Sequence, residues 1–163
     1  MEDKTINAFA APGGIIGINL GMFLNTEREG ELASVMCHEL AHLSQRHFAR
    51  SQNRNSPLAN ALMILGSIAV AAASRNPEAI LIAPAAMQQM SINYTRSNEK
   101  EADRIGFNNL VKAGFDPNDM TMMFQRMQDK YQNEDSEQFS YLMTHPLPSE
   151  RLTDMRIRSD SLK

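Results

Sequence analysis

The sequence predicts a mainly α fold (α+β) with one small β-hairpin, and three observations predict it. Apolar residues recur at helical spacing, as at Leu32, Val35, Met36 and Leu43. Helix start and stop signals punctuate the chain, among them Asp116-Pro117 and Gly114. Only residues 6–20, "INAFAAPGGIIGINL", place apolar runs on both sides of a Pro-Gly-Gly turn signal, which reads as a hairpin.

The elements follow in order. Thr26 with Glu29 offers a capping box that opens a helix running past His47. Asn53 to Pro57 breaks that helix, and the run Leu58 to Ala73, "LANALMILGSIAVAAA", makes a second one. Its 16 residues, with Asn60 and Ser67 among them, fall short of the roughly 18–20 apolar residues that span a bilayer. A buried or lid helix is read there ahead of a membrane-touching one. Arg75-Asn76-Pro77 is a turn, and Pro84 either kinks or begins the next helix. That helix continues to Ala113, where Gly114 stops it. Asp116-Pro117 caps a further helix over roughly 117–130. "QNEDSEQ" is a polar loop, "THPLPSE" a proline-stiffened one, and the closing helix starts near Ser149.

With 163 residues the chain fits one domain, 1–163, long enough to bury a core. Hydrophobic residues at 42%, charged residues at 21% and a net charge of −3 describe a globular protein with no basic surplus for nucleic acid. The single Cys37 has no disulfide or CxxC partner and reads as a small core residue. No signal peptide is read at Met1-Glu2-Asp3-Lys4. The chain is then cytosolic, or a mature or excised domain.

The chemistry concentrates in "VMCHELAHLSQRH". His38-Glu39-Leu40-Ala41-His42 is an HExxH motif, and composition alone would produce roughly 0.006 such matches in this chain. At about 100° per residue, His38 and His42 lie about 40° apart and Glu39 about 60° from His42, so all three share one helix face. Two neutral imidazoles can bind one tetrahedral Zn²⁺ while Glu39 takes the proton of a zinc-bound water and hands it to the leaving amine. As mere core residues, the same three side chains would be costly to bury unpaired.

A catalytic zinc needs a third protein ligand. His47 lies about 140° from His42 round the helix, with no glycine between them, so it reads as a surface or supporting residue. "NEKEADRIG" supplies the other standard solution: Glu99 and Asp103, four residues apart, share a helix face. Glu99 can ligate the metal while Asp103 accepts the spare ring N–H of a liganding histidine; a solvated acidic face is the blander reading. His145, in Thr144-His145-Pro146, has three readings. It is a fourth ligand that keeps the enzyme latent, a donor to the reaction's oxyanion, or a loop histidine without a catalytic part. Arg151 is the alternative oxyanion donor.

Together "NAFAAPGG…GINLGMF", "ELASVMCHELAHLSQRH", "NEKEADRIG…AGFDP" and "THPLPSERLTDMR" resemble the HtpX/CAAX-prenyl-protease-type zinc metallopeptidases, most of all their soluble periplasmic BepA-like branch. The resemblance runs over nearly the whole chain. It implies a gluzincin-type domain whose hairpin packs on the active-site helix, with one Zn²⁺ per chain held by His38, His42 and Glu99, and Glu39 as the base. It also implies that the strand Ile15, Ile16, Gly17, Ile18 aligns an extended peptide by strand addition, and it favours metal approach by His145. The implied activity is hydrolysis of unfolded or misassembled proteins. The implied setting is periplasmic or membrane-associated, with membrane-surface or outer-membrane-assembly partners. Members of this branch usually carry a signal peptide and a helical-repeat domain; neither is read in this chain, which is then taken as an excised catalytic domain. A rival reading keeps the fold and the zinc in a chaperone or binding module held latent by His145.

Overall fold

The computed structural model describes residues 4–54, 57–76, 82–133 and 140–162. The chain divides into two compact units, residues 1–45 with 99–163, and residues 46–98.

The first unit opens with the hairpin. Strand β1 (Ala8–Ala11) pairs antiparallel with β2 (Ile15–Ile18), Ala8 opposite Ile18 and Ala11 opposite Ile15. Gly13 and Gly14 turn the chain at φ +93° and +80°, a backbone that side chains rarely adopt and glycine adopts freely. Phe9 faces Gly17 across the pair, and its ring fills the space that a Cβ on Gly17 would need. After the short α1 (Leu20–Leu24) comes α2 (Glu29–Ser44), on which β1 packs.

Acidic Glu29 and Glu31 complement the dipole of the first turn of α2. The capping box expected of Thr26 and Glu29 is replaced by another device: Thr26 donates to the Phe23 carbonyl at 3.0 Å, and the Glu31 carboxylate accepts the Glu27 N–H at 2.8 Å. Glu31 also receives the guanidinium of Arg126 at 3.0 Å, an anchor from far along the chain. Nor does the helix run past His47. It ends at Ser44, Arg46 takes the left-handed φ of +53°, and α3 (His47–Arg54) begins anew. A left-handed residue at this position closes a helix C-terminus. Here an arginine adopts it where glycine is usual, so no glycine signalled the stop.

Helix α5 (Ile82–Lys112) has Pro84 in its first turn, so the proline begins it, and Gly114 at φ +86° stops it. Helix α6 (Asn118–Asn133) is capped by Asp116, whose carboxylate accepts the Asn118 N–H at 2.9 Å. Met120, Met123, Phe124 and Met127 form one buried face of α6 at helical spacing. Around that face the core gathers Val35 of α2, Phe107 and Leu110 of α5, and Leu152 and Met155 of α8 (Ser149–Asp160). Unbranched methionines suit such gaps because they adapt to irregular shapes. Gln132 and Asn133, read as the start of a loop, are the last residues of α6, and the rest of "QNEDSEQ" lies outside the described residues. A short α7 (Ser140–Thr144), which the sequence did not announce, precedes the proline-rich loop.

The second unit holds α3, α4 (Pro57–Ser74) and the first part of α5. Between α3 and α4 residues 55–56, and after Asn76 residues 77–81, lie outside the described residues, with part of the Asn53–Pro57 break and Pro77 of the expected turn. Of the buried-or-lid reading of α4 the buried form is corrected: Leu58, Leu62, Ile64, Leu65, Ile68 and Val70 are all exposed. Among the described residues no helix is long and apolar enough to cross a membrane.

One close approach positions the site. Gly106 of α5 lies against the backbone of His38, where a Cβ would stand 3.0 Å from both the His38 Cα and N. Backbone cannot yield as a flexible side chain does, so Gly106→Ala is expected to force α2 and α5 apart. It should destabilise the fold by about 1–3 kcal/mol, measured as a lowered midpoint of urea unfolding; an unchanged midpoint would show that the contact is not tight.

Candidate metal centre

Four elements deliver the site, with residues that all lie within the first unit. Helix α2 carries His38, Glu39 and His42 on one face, as the helical period requires, the first two buried and His42 half-buried. Helix α5 brings Glu99 and Asp103, one turn apart and both buried, against them. The loop after α7 supplies His145, and α8 supplies Arg151.

One ligand atom from each of His38, His42, Glu99 and His145 lies within 4.8 Å of the others. The two Nε2 atoms of His38 and His42 are 3.0 Å apart, and they stand 3.4 and 3.3 Å from the two Glu99 oxygens. His145 Nδ1 is 3.1 and 3.2 Å from the same carboxylate. A tetrahedral Zn²⁺ with bonds near 2.0–2.1 Å sets neighbouring ligand atoms about 3.3 Å apart, so this donor set fits such an ion in both chemistry and spacing. Glu39 stands at the edge of the group. Its Oε1 is 3.5 Å from His145 Nε2, and both its oxygens are buried without a hydrogen-bond partner among the described residues.

Asp103 lies behind. Its Oδ1 is 3.0 Å from His38 Nδ1, the ring atom turned away from the cluster. Arg151 grips the same carboxylate with two hydrogen bonds, Nε to Oδ2 at 2.6 Å and Nη2 to Oδ1 at 2.7 Å. Its remaining nitrogen, Nη1, donates to the Pro146 carbonyl at 2.6 Å and reaches Glu99 Oε2 at 2.9 Å. The guanidinium is thereby engaged on every nitrogen, and its carbon lies 5.3 Å above the Phe124 ring.

The electrostatics follow from this packing. Burial acts to discharge His38, but the neighbouring carboxylates of Asp103 and Glu99, which favour its protonated ring, outweigh it and push its pKa up to about 9. Burial holds His42 below its ordinary value, with Glu99 opposing. Glu99 is held well below the usual carboxylate range, because His145, His38 and His42 overcome the effect of burial. Against the same burial, His38 and Arg151 hold Asp103 down.

Tyr141 is the residue the sequence reading missed. Its ring is buried and stacks on His145 with centroids 4.6 Å apart and planes at 29°. Its carbonyl accepts the His145 N–H at 2.8 Å, and its own N–H donates to the Ile6 carbonyl at 3.1 Å. The one available signal was an aromatic four residues before His145. His47 is buried, at 5% exposure, where a surface position had been an option, and it is outside the group of convergent donors. Ile15 to Ile18 form the outer strand of the hairpin, with Ile15 exposed and the others half-buried.

The sequence matches peptidase family M48 over residues 1–159. The chain belongs to that family. It is 49% identical, over 98% of its length, to a Vibrio cholerae protein provisionally named a beta-barrel assembly-enhancing protease. It is 41% identical, over its whole length, to the beta-barrel assembly-enhancing protease of Escherichia coli K12, and 30% identical over 93% of its length to the mitochondrial metalloendopeptidase OMA1 of Schizosaccharomyces pombe. The matched region is 34% of each of the two bacterial relatives and 43% of the yeast one, so the chain spans about a third of the bacterial proteins. The mainly α fold with one small hairpin, and the metallopeptidase family that the resemblance implies, are those found.

Partners that orient a histidine ligand through its far nitrogen commonly control metal affinity by 10–100-fold. Asp103→Asn is expected to weaken affinity for added Zn²⁺ by about that range, read by competition with a chelating dye; affinity equal to the unaltered protein would mean that the Asp103–His38 contact does not orient a ligand.

Proposed function

We propose that residues 1–163 form one zinc metalloendopeptidase domain that hydrolyses peptide bonds of unfolded or misassembled proteins. The convergence of His38, His42, Glu99 and His145 beside the unpartnered carboxylate of Glu39 carries this reading. His38, His42 and Glu99 would hold one Zn²⁺ per chain, with Asp103 fixing the His38 ring. Zinc, when bound, supplies a Lewis acid that polarises the scissile carbonyl and eases deprotonation of water. Glu39 accepts the proton of the attacking water and returns it to the leaving amine. Strand β2, at Ile15, Ile16, Gly17 and Ile18, aligns the extended substrate by main-chain pairing. Arg151, saturated by Asp103, Pro146 and Glu99, anchors the loop that carries His145 in place of donating to an oxyanion.

A latent form of the same site is a second reading, and the position of His145 favours it. With its Nδ1 against Glu99, His145 is placed to act as a fourth protein ligand and exclude water. The same geometry suits a zinc-containing chaperone or binding module kept inactive by that loop. Glu39→Gln is expected to keep zinc and lose about 10²–10⁴-fold in casein cleavage; equal cleavage would remove Glu39 as the base. His145→Ala should raise cleavage if the loop is inhibitory, and a fall would assign His145 to the reaction.

The names of the bacterial relatives support an outer-membrane-assembly setting and a periplasmic or membrane-associated location. Helix α4 supports contact with a membrane surface. It carries no charge and exposes its leucines, while residues 46–98 hold Arg46, Arg50, Arg54, Arg75 and Arg96 against Glu78 alone, in a chain of net charge −3. Exposed apolar surface in a segment with an excess of arginine suits an anionic bilayer. Flotation with phosphatidylglycerol vesicles is expected to carry the protein up at low salt, and Leu62→Glu with Leu65→Glu to abolish this; a wild-type protein that stays behind would exclude the contact.

A further inference from the structure

Tyr141 is 1% exposed, yet its hydroxyl has no hydrogen-bond partner among the described residues. A buried polar group left without a partner is destabilising, so phenylalanine of the same shape would pack better. Packing therefore gives no reason for the hydroxyl. A phenylalanine ring could equally stack on His145 and present itself at 66° to His38, 6.5 Å away. What differs is the setting. The ring is packed against two histidines of the metal centre itself, face to face with His145 and edge-on to His38.

Two kinds of unsatisfied buried group thus border the same histidine: a hydroxyl donor on Tyr141, whose ring stacks on His145, and the acceptor oxygens of Glu39, one of them 3.5 Å from His145 Nε2. They complement the two oxygens of peptide hydrolysis, a carbonyl oxygen that gains negative charge and needs a donor, and a water that loses a proton and needs an acceptor. The other candidate donors are engaged: Arg151 spends its nitrogens on Asp103, Pro146 and Glu99, and His145 turns Nδ1 to Glu99 and Nε2 towards Glu39. Preorganisation is also present, since Tyr141 is fixed by the Ile6 carbonyl, by its stack on His145, and by its own carbonyl accepting the His145 N–H.

We propose that Tyr141 is a catalytic residue whose hydroxyl donates a hydrogen bond to the scissile carbonyl oxygen as it becomes an oxyanion. The phenol keeps its proton throughout, and only the strength of the hydrogen bond changes as charge develops. The stack on His145 gives the same side chain a second part, holding that imidazole beside Glu99. This rests on the endopeptidase reading above.

Tyr141→Phe isolates the hydroxyl while keeping the ring. In the zinc-loaded variant kcat on a fluorogenic peptide is expected to fall about 10²–10³-fold with KM nearly unchanged, the loss typical of one removed oxyanion donor. Affinity for a phosphonate peptide, a tetrahedral mimic, should weaken while zinc affinity measured with the metal alone stays the same. The metal-free variant should melt no lower than the unaltered protein, and higher by roughly 2–4 °C if an unsatisfied hydroxyl has been removed. A variant that melts higher but cleaves and binds the phosphonate as before overturns the proposal, leaving the hydroxyl a packing defect. Loss of zinc affinity together with activity also overturns it, because Tyr141 would then act through the ligands. If the unaltered protein and His145→Ala both cleave nothing, the endopeptidase reading fails and this proposal with it; cleavage unaffected by Tyr141→Phe removes only the proposal.

Discussion

The buried carboxylate of Asp103 is the contact on which the rest of the site depends. An ionised carboxylate away from water is tolerable only when it is paired and hydrogen-bonded. Asp103 meets that demand from two helices at once, with His38 Nδ1 at 3.0 Å from α2 and the two-pronged guanidinium of Arg151 from α8. Arg151 passes the constraint on. By donating to the Pro146 carbonyl at 2.6 Å it ties down the loop whose preceding residue is His145. Three helices and one loop are thereby fixed relative to a single side chain, and removing any one partner would strand a charge in the interior.

That network needs α2 and α5 to approach closely, and "NEKEADRIG" encodes both the approach and the chemistry. Glu99, Asp103 and Gly106 follow at intervals of four and three, so they rise along one face of α5. Glu99 reaches the histidine nitrogens, Asp103 reaches the far side of the His38 ring, and Gly106 presents no Cβ where the helix touches the His38 backbone. The order matters. A side chain at 106 would hold α5 away and lengthen the contacts one and two turns earlier. The core supports the same geometry from below, with Phe107 and Leu110 of α5 packed among the methionines of α6.

Where a local pattern sufficed, the fold and site could be read in the sequence. The face shared by His38, Glu39 and His42 follows from 3.6 residues per turn, and the pairing of Glu99 with Asp103 from spacing of four. The hairpin follows from Pro12-Gly13-Gly14. What escaped was decided by distant partners or by unusual backbone. The start of α2 is satisfied by Glu31 with Arg126 from α6, so a local capping box misnamed the residue responsible. The helix end depends on an arginine in the left-handed region, which carries no composition signal. Helix α7 is five residues long, too short to show a period, and its Tyr141 gains meaning only when tertiary structure lays it on His145. Exposure of α4 likewise cannot be read from its apolarity, since uniformly apolar helices are usually buried.

Charge accounts for why these side chains suit a divalent cation. Glu39, Glu99 and Asp103 bring three carboxylates into a space from which water is largely removed, and Arg151 is the guanidinium paired with Asp103 and Glu99 there. The imbalance is about two negative charges, and its first consequence is visible in His38, whose pKa is pushed up to about 9 although its ring is wholly buried. A proton on His38 meets only half of the deficit and occupies a nitrogen that faces Glu99. A divalent cation meets all of it while leaving both ring nitrogens engaged, one inward and one on Asp103. The same carboxylates that hold Asp103 and Arg151 in register therefore create the demand for positive charge at the centre, and scaffold and metal affinity arise from one set of contacts.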